Sequence, residues 1–143
     1  MKISDVIHAK AQQAVVTISP DATVRELIAL LAEHNVGALV VSEDGEHVSG
    51  IVSERDVVRR LHADEAVLDT AVRQIMTADV RTCAGEDGVT DLMQTMTEHR
   101  IRHVPVVADG RLTGIISIGD VVKSRIGELE FERDQLDHYL HQT

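Results

Sequence analysis

The chain has 143 residues, 43% of them hydrophobic, a formal net charge of -10 and only two aromatics, Phe131 and Tyr139. Any core is therefore aliphatic, and both the basic stripe and the stacking side chains that nucleic acid requires are missing. No 18 apolar residues run together, Cys83 is the only cysteine, and MKISDVIHAK at the start has no apolar leader, which points to a reducing, cytoplasmic setting with no membrane partner.

In chain order, a short strand is predicted over Val15–Ile18, followed by the turn SPDA. Val24, Leu27, Ile28 and Leu31 then recur at the spacing of one helix face, with Asp21 or Thr23 as the N-cap. The apolar run GALVVS (37–42), the turn EDGEH (43–47) and the run VSGIVS (48–53) read as a hairpin that leads into a second helix. Arg59 and Arg60 are expected on the wet face of that helix, and HADEAVLDTA (62–71) reads as its end plus a linker.

The same series then begins again. A strand over Val80–Thr82 leads into the turn AGEDG, with Asp87 as N-cap of a helix whose apolar face is Val89, Leu92, Met93 and Met96. HVPVV (103–107), ADGR and LTGIIS (112–117) give a second hairpin, and one helix is predicted from 118 to 142, interrupted only by Gly127. Cys83 reads as a small strand residue rather than a redox thiol.

The recurrence is a sequence repeat, not just a repeat of pattern. GIVSERDVV (50–58) and GIISIGDVV (114–122) share six of nine residues, and Val52 to Ile116 is a near match. EHNVGALVV (33–41) aligns with EHRIRHVPV (98–106) at an offset of 65. Each unit is strand, helix, strand, strand, helix, too small to close a good core alone, so the two are expected to pack together about a pseudo-twofold axis.

The repeated phrase carries the chemistry. Gly, two β-branched residues, Ser, and Asp three residues later describe a strand that turns into a helix. The Ser hydroxyl and the first free N–H groups of that helix can hold an anion, and the carboxylate can accept from the vicinal hydroxyls of a ribose. The same spacing equally describes a helix capped by Ser and Asp, with no ligand at all. The bases differ between units: Arg55 stands where the second unit has Gly119, and Arg100, Arg102 and His103 stand where the first has Asn35, Gly37 and Ala38. Arg100 and Arg102 could serve a phosphate or be solvated strand-edge charge. Residues 71–126 carry 7 acids and 7 bases, against 12 and 6 in residues 1–70, so the middle section suits an anion best.

This order of landmarks resembles the cystathionine-beta-synthase (CBS) domain family in its two-copy form, the Bateman module. The landmarks are Ile75-Met76-Thr77 ahead of the second unit, the SPDATV turn, HVPVV, and the paired GIVSERD and GIISIGD. Val6-Ile7-His8 departs from the apolar-Met-Thr pattern, and GALVV lacks the proline that Pro105 supplies in the second unit. The resemblance implies an α+β fold in which residues 1–143 form a single module: a first repeat at 3–62, a second at 71–125, and an acidic C-terminal helix at 126–143. It also implies a regulatory module that binds an adenine nucleotide (AMP, ADP, ATP or NAD(H)) in its inter-repeat clefts and pairs as a homodimer. Asp56 and Asp120 would then contact ribose, with Ser53, Arg55, Arg102, His103 and Ser117 near phosphate or sugar. Arg102 and His103 would serve the Asp56 nucleotide and Arg55 the Asp120 one. Val104 and Pro105 are candidates for an adenine slot.

No P-loop, GxGxxG, HExxH or CxxC sequence occurs, no metal is expected, and nothing suggests catalysis. The tail offers an apolar stripe of Ile126, Leu129, Leu136 and Leu140 among five acids, interrupted by Arg133. It is expected either to pack on its own module or to provide a dimer contact or a docking face for an unidentified protein target. The competing reading of the whole chain is therefore a ligand-independent scaffold that works through this helix.

Overall fold

The computed structural model describes residues 1–10 and 15–141. Helix α1 (Ile3–His8) comes first. The first unit then contains β1 (Thr17–Ile18), α2 (Val24–His34), β2 (Ala38–Val41), β3 (Gly50–Ser53) and α3 (Glu54–Ala63). Two 3-10 turns, Glu65–Asp69 and Val72–Gln74, lead to the second unit, which contains α4 (Val89–His99), β4 (His103–Ala108), β5 (Arg111–Ser117) and α5 (Ile118–Leu140). β1 runs parallel to β2, β2 antiparallel to β3, and β4 antiparallel to β5. The fold is α+β with the expected repeats and C-terminal helix; Gln142, the expected last residue of that helix, lies outside the described residues.

The expected strand over Val80–Thr82 is reduced to a single bridge between Cys83 and Val106. Cys83 N–H donates to Pro105 O (3.0 Å) and Val107 N–H to Cys83 O (2.8 Å), so the carbonyl of Pro105 faces this segment. A residue with an N–H at 105 could extend the ladder toward residue 81; proline has none to give. Val40 holds the matching place in the first unit, where β1 pairs in register as Thr17 with Val40 and Ile18 with Val41.

Helix starts follow local hydrogen bonding. Thr23 is the N-cap of α2: its Oγ1 accepts from Glu26 N–H (3.1 Å), and Glu26 Oε2 accepts from Thr23 N–H (3.1 Å). Asp21 instead pairs with Arg73. Asp87 is not a cap either; it accepts from Ala84 N–H within the preceding turn, and Gly88 is the N-cap of α4.

Two aliphatic cores result. The first joins Val24, Leu27 and Leu31 of α2 to Leu39, Val41 and Val52 of its hairpin; the second joins Val89, Leu92 and Met96 to Val104, Val106 and Ile116. Ile28, expected on the buried face of α2, is exposed. Each core is completed by a segment from outside its own hairpin. Val67, Val72 and Ile75 of the connecting stretch enter the first core, so HADEAVLDTA is packed structure rather than a free linker. Ile3 and Val6 of α1 enter the second, where Ile3 N–H donates to Asp87 O and Ser4 N–H to Gly85 O. Burying each of these side chains contributes about 1.5–3 kcal/mol.

The outer half of α5 is exposed: Val121 is the one buried residue of the helix, while Ile126, Leu129, Phe131, Leu136, Tyr139 and Leu140 are all exposed. Packing of this stripe on its own module is not what forms. No helix among the described residues is long and apolar enough to cross a membrane.

Gly50 and Gly114 open the repeated phrase, but their neighbours differ. A Cβ on Gly50 would lie 2.7 Å from Met76 Sδ and 2.8 Å from Thr77 O, whereas one on Gly114 would lie 3.4 Å from Ile7 Cδ1. Gly50→Ala is expected to cost about 1–3 kcal/mol in urea denaturation, and Gly114→Ala less than half of that. Burial pushes the Cys83 thiol up to about 12. A thiol reagent at pH 8 is therefore expected to modify the native chain far more slowly than the urea-unfolded chain.

Candidate functional site

Ser53 and Ser117 are the N-caps of α3 and α5, and Asp56 and Asp120 stand three residues into those helices. Ser53 Oγ accepts from Asp56 N–H (3.3 Å), while Asp56 Oδ2 accepts from Ser53 N–H (2.9 Å) and from Ser53 Oγ (3.1 Å). Ser117 Oγ accepts from Asp120 N–H (3.1 Å), and Asp120 Oδ2 accepts from Ser117 N–H (2.9 Å). The capping reading of the repeated phrase is thus realised at both helices. It commits Oδ2 of each carboxylate; Oδ1 makes none of these contacts.

Both aspartates also line clefts between the units, each cleft about 330 Å³ in volume. The Asp56 cleft brings Ser53, Arg55 and Arg59 together with Arg100, Arg102 and His103 of the other unit. The Asp120 cleft brings Ser117 together with Lys10, His34 and Asn35, against an apolar wall of Val16, Val36, Leu39 and Ile115. Gly37, Ala38 and His103 line both clefts and form the partition between them. A Cβ on Gly37 would lie 3.4 Å from Glu54 Oε1 and 3.5 Å from His103 Cε1, so these two side chains close over the glycine. The two corners correspond: Glu54 N–H donates to Gly37 O (2.9 Å) and Ile118 N–H to Arg102 O (2.8 Å).

Residues 3–63 and 72–127 each match the CBS domain family. The chain belongs to that family. It is 38% identical over 146 residues to the mitochondrial CBS domain-containing protein CBSX3 of Arabidopsis thaliana, across 96% of this chain and 71% of that one. A proposed signal-transduction protein with CBS domains from Burkholderia ambifaria MC40-6 superposes with a TM-score of 0.83 at 40% identity, over 89% of this chain and 95% of that one. The CBS domain pair of protein MJ0100, solved with 5-methylthioadenosine and S-adenosyl-L-methionine, shares the fold at a TM-score of 0.77 and 24% identity, over 90% of this chain and 98% of that one.

In this CBS pair the cationic partners divide differently from the expected exchange. Arg102 and His103 share a cleft with Asp56, as the cross-unit pairing requires. Arg55, expected opposite Asp120, lines the cleft of Asp56 instead, because it lies in the same first turn of α3. The cation at Asp120 is Lys10, whose Nζ lies 2.9 Å from Asp120 Oδ2 and donates to Ile115 O (2.9 Å). Nothing in the sequence singles out Lys10, since it comes from the far end of the chain. Arg59 had a signal: three residues after Asp56 and four after Arg55, it shares their side of the helix. Val104 is buried in the second core, Pro105 is fully buried as well, and neither lines either cleft.

Among the described residues, Asp44, Glu46 and His47 in the β2–β3 turn form a cluster that offers ligand atoms. Asp44 already accepts from Ser42 Oγ and from the N–H groups of Glu46 and His47, and its second oxygen meets His47 Nδ1 at 2.6 Å. These bonds close the turn on itself.

Burial and neighbouring charges set the ionisation of His103 and Asp120 in opposite ways. Desolvation lowers the His103 pKa from 6.5, outweighing the opposing pull of Asp120 and Glu54, while Lys10 and Arg102 lower it further. Desolvation raises Asp120, but Ser117 N–H and the Lys10 ammonium outweigh it and hold the carboxyl below 3.8. The His103 ring is therefore neutral at pH 7. As pH falls through about 6.5, unfolded chains take up a proton at this ring that folded chains refuse, so stability declines. Asp120 acts in a lower window: its contribution is complete above its unfolded value and fades as pH drops through the depressed one. Urea denaturation at pH 7.5 and 5.5 is expected to show a smaller acid loss for His103→Gln than for the parent chain.

Proposed function

We propose that this CBS pair is a regulatory module without catalytic activity that binds an adenine nucleotide between its repeats. AMP, ADP, ATP and NAD(H) are the candidate ligands. What supports the reading most is one juxtaposition: Asp56, with Oδ1 uncommitted at a helix N-terminus, lines the same cleft as Arg102 and His103 from the other repeat. A ribose diol can bond to the carboxylate while the phosphate meets the guanidinium. Such a ligand touches both repeats, and so favours the arrangement in which both ends of the cleft are in reach. In the Asp120 cleft, Val16, Val36, Leu39 and Ile115 offer an apolar wall for a base.

A homodimer belongs to this reading, with the nucleotide biasing its geometry for a protein target to read. The exposed stripe on α5 is the observation behind the rival scaffold reading. A thermal-shift and calorimetric titration separates the two. Adenine nucleotides at 100 times Kd are expected to stabilise the chain by about 2.7 kcal/mol, with guanosine nucleotides giving less. Asp56→Asn keeps an oxygen for the cap and is expected to weaken binding at its cleft about tenfold, the loss of a charge-assisted hydrogen bond. A flat profile for every nucleotide favours the scaffold. Native mass spectrometry of the same sample reads the oligomer.

A further inference from the structure

The two clefts are not equivalent in charge. Four arginines line the Asp56 cleft: Arg55 and Arg59 from α3, Arg100 and Arg102 from the corner between α4 and β4. The Asp120 cleft holds one lysine, already paired with its aspartate. Among the described residues, the arginines that form ion pairs are Arg25, Arg73, Arg111, Arg125 and Arg133, none of them in a cleft. In a chain of net charge -10, the four in the Asp56 cleft are left without carboxylate partners although Glu54 and Asp56 line the same space.

The arginine surface also extends beyond that cleft. A neighbouring depression is lined by Arg55, Arg100 and Arg102 again, together with Met96, Thr97 and Ile118. Arg55, Arg100 and Arg102 thus line both spaces, so the arginine lining continues beyond the cleft that holds Asp56. Arg100 itself sits at φ 53° and ψ 43°, the left-handed position that ends α4. Asn35 holds the matching place in the first repeat at φ 51°. Asparagine adopts this conformation readily, whereas arginine accepts it at a cost of about 1 kcal/mol. The second repeat thus carries a strained cation where an unstrained neutral residue serves the first.

We propose that the Asp56 cleft selects a nucleotide with two or more consecutive phosphates, held along Arg55, Arg59, Arg100 and Arg102. A monophosphate carries about two negative charges against four arginines, and so leaves part of the positive charge lining the cleft uncompensated. A di- or triphosphate compensates more of it. The proposal rests on the nucleotide reading above and adds the ligand class.

The test is calorimetric titration of the full chain with adenosine, AMP, ADP and ATP, without divalent cations, at 50 and 300 mM salt. ATP is expected to bind about tenfold or more tighter than AMP at low salt, with the gap narrowing at high salt. Arg59→Gln and Arg102→Gln are expected to weaken ATP several-fold and AMP less. Arg100→Asn is expected to raise Tm by about 3 °C while weakening ATP, a combination that a folding defect does not produce. Equal affinities for AMP and ATP, untouched by the arginine variants, overturn the proposal and leave the nucleotide reading standing. No binding by any of the four, adenosine included, removes both.

Discussion

Neither half of this chain closes its own core, and most of the architecture follows from that shortage. With two aromatics among 143 residues, both on an exposed helix, the hairpins and their helices supply only small aliphatic side chains. Each core is completed by an outside segment: α1 carries Ile3 and Val6 to the second, and the connecting stretch carries Val67, Val72 and Ile75 to the first. The N-terminal residues are thereby held against the second repeat, and the connection is held against the first. The same routing brings Lys10 to Ile115 and Asp120. The clefts are where the corners of the two repeats meet around Gly37 and His103.

Fold and site share their atoms at the helix starts. The Ser–Asp pairs satisfy N–H groups that would otherwise lack partners, which stabilises each helix by about 1 kcal/mol. In doing so they fix one oxygen of each carboxylate and leave the other uncommitted at the edge of a cleft. Capping and ligand recognition are compatible because a carboxylate has two oxygens. The repeats differ instead in the charge placed around that shared device, four arginines at one and a single paired lysine at the other.

The repeat, the hairpins and both capped helices were legible from the sequence because each depends on local spacing. The phrase shared by residues 50–58 and 114–122 marks strand, cap and carboxylate within nine residues. The chain did not announce which core α1 would enter, since Ile3 and Val6 fit an aliphatic core of either repeat. Pro105 was legible as an irregularity, but its cost to the Val80–Thr82 strand shows only when the carbonyl is seen facing Cys83. Asp56 and Arg102, singled out by aligning the repeats, line one cleft. Arg55 was assigned to the opposite cleft because alignment says nothing about the direction of a side chain, and Lys10 escaped notice because its partner is 110 residues away.

Helix α5 connects the site to the outside in a mechanical sense. Its third residue is Asp120, and its last turns expose Leu136, Tyr139 and Leu140. Twenty-three residues at 1.5 Å each give a rod of about 35 Å anchored at one end. A tilt of about 5° where Asp120 meets the cleft would carry the far tip through about 3 Å, roughly the width of one side-chain contact. A rod of this length, held beside the Asp120 cleft and exposed beyond it, would convert a small change of angle at the cleft into a displacement many residues away.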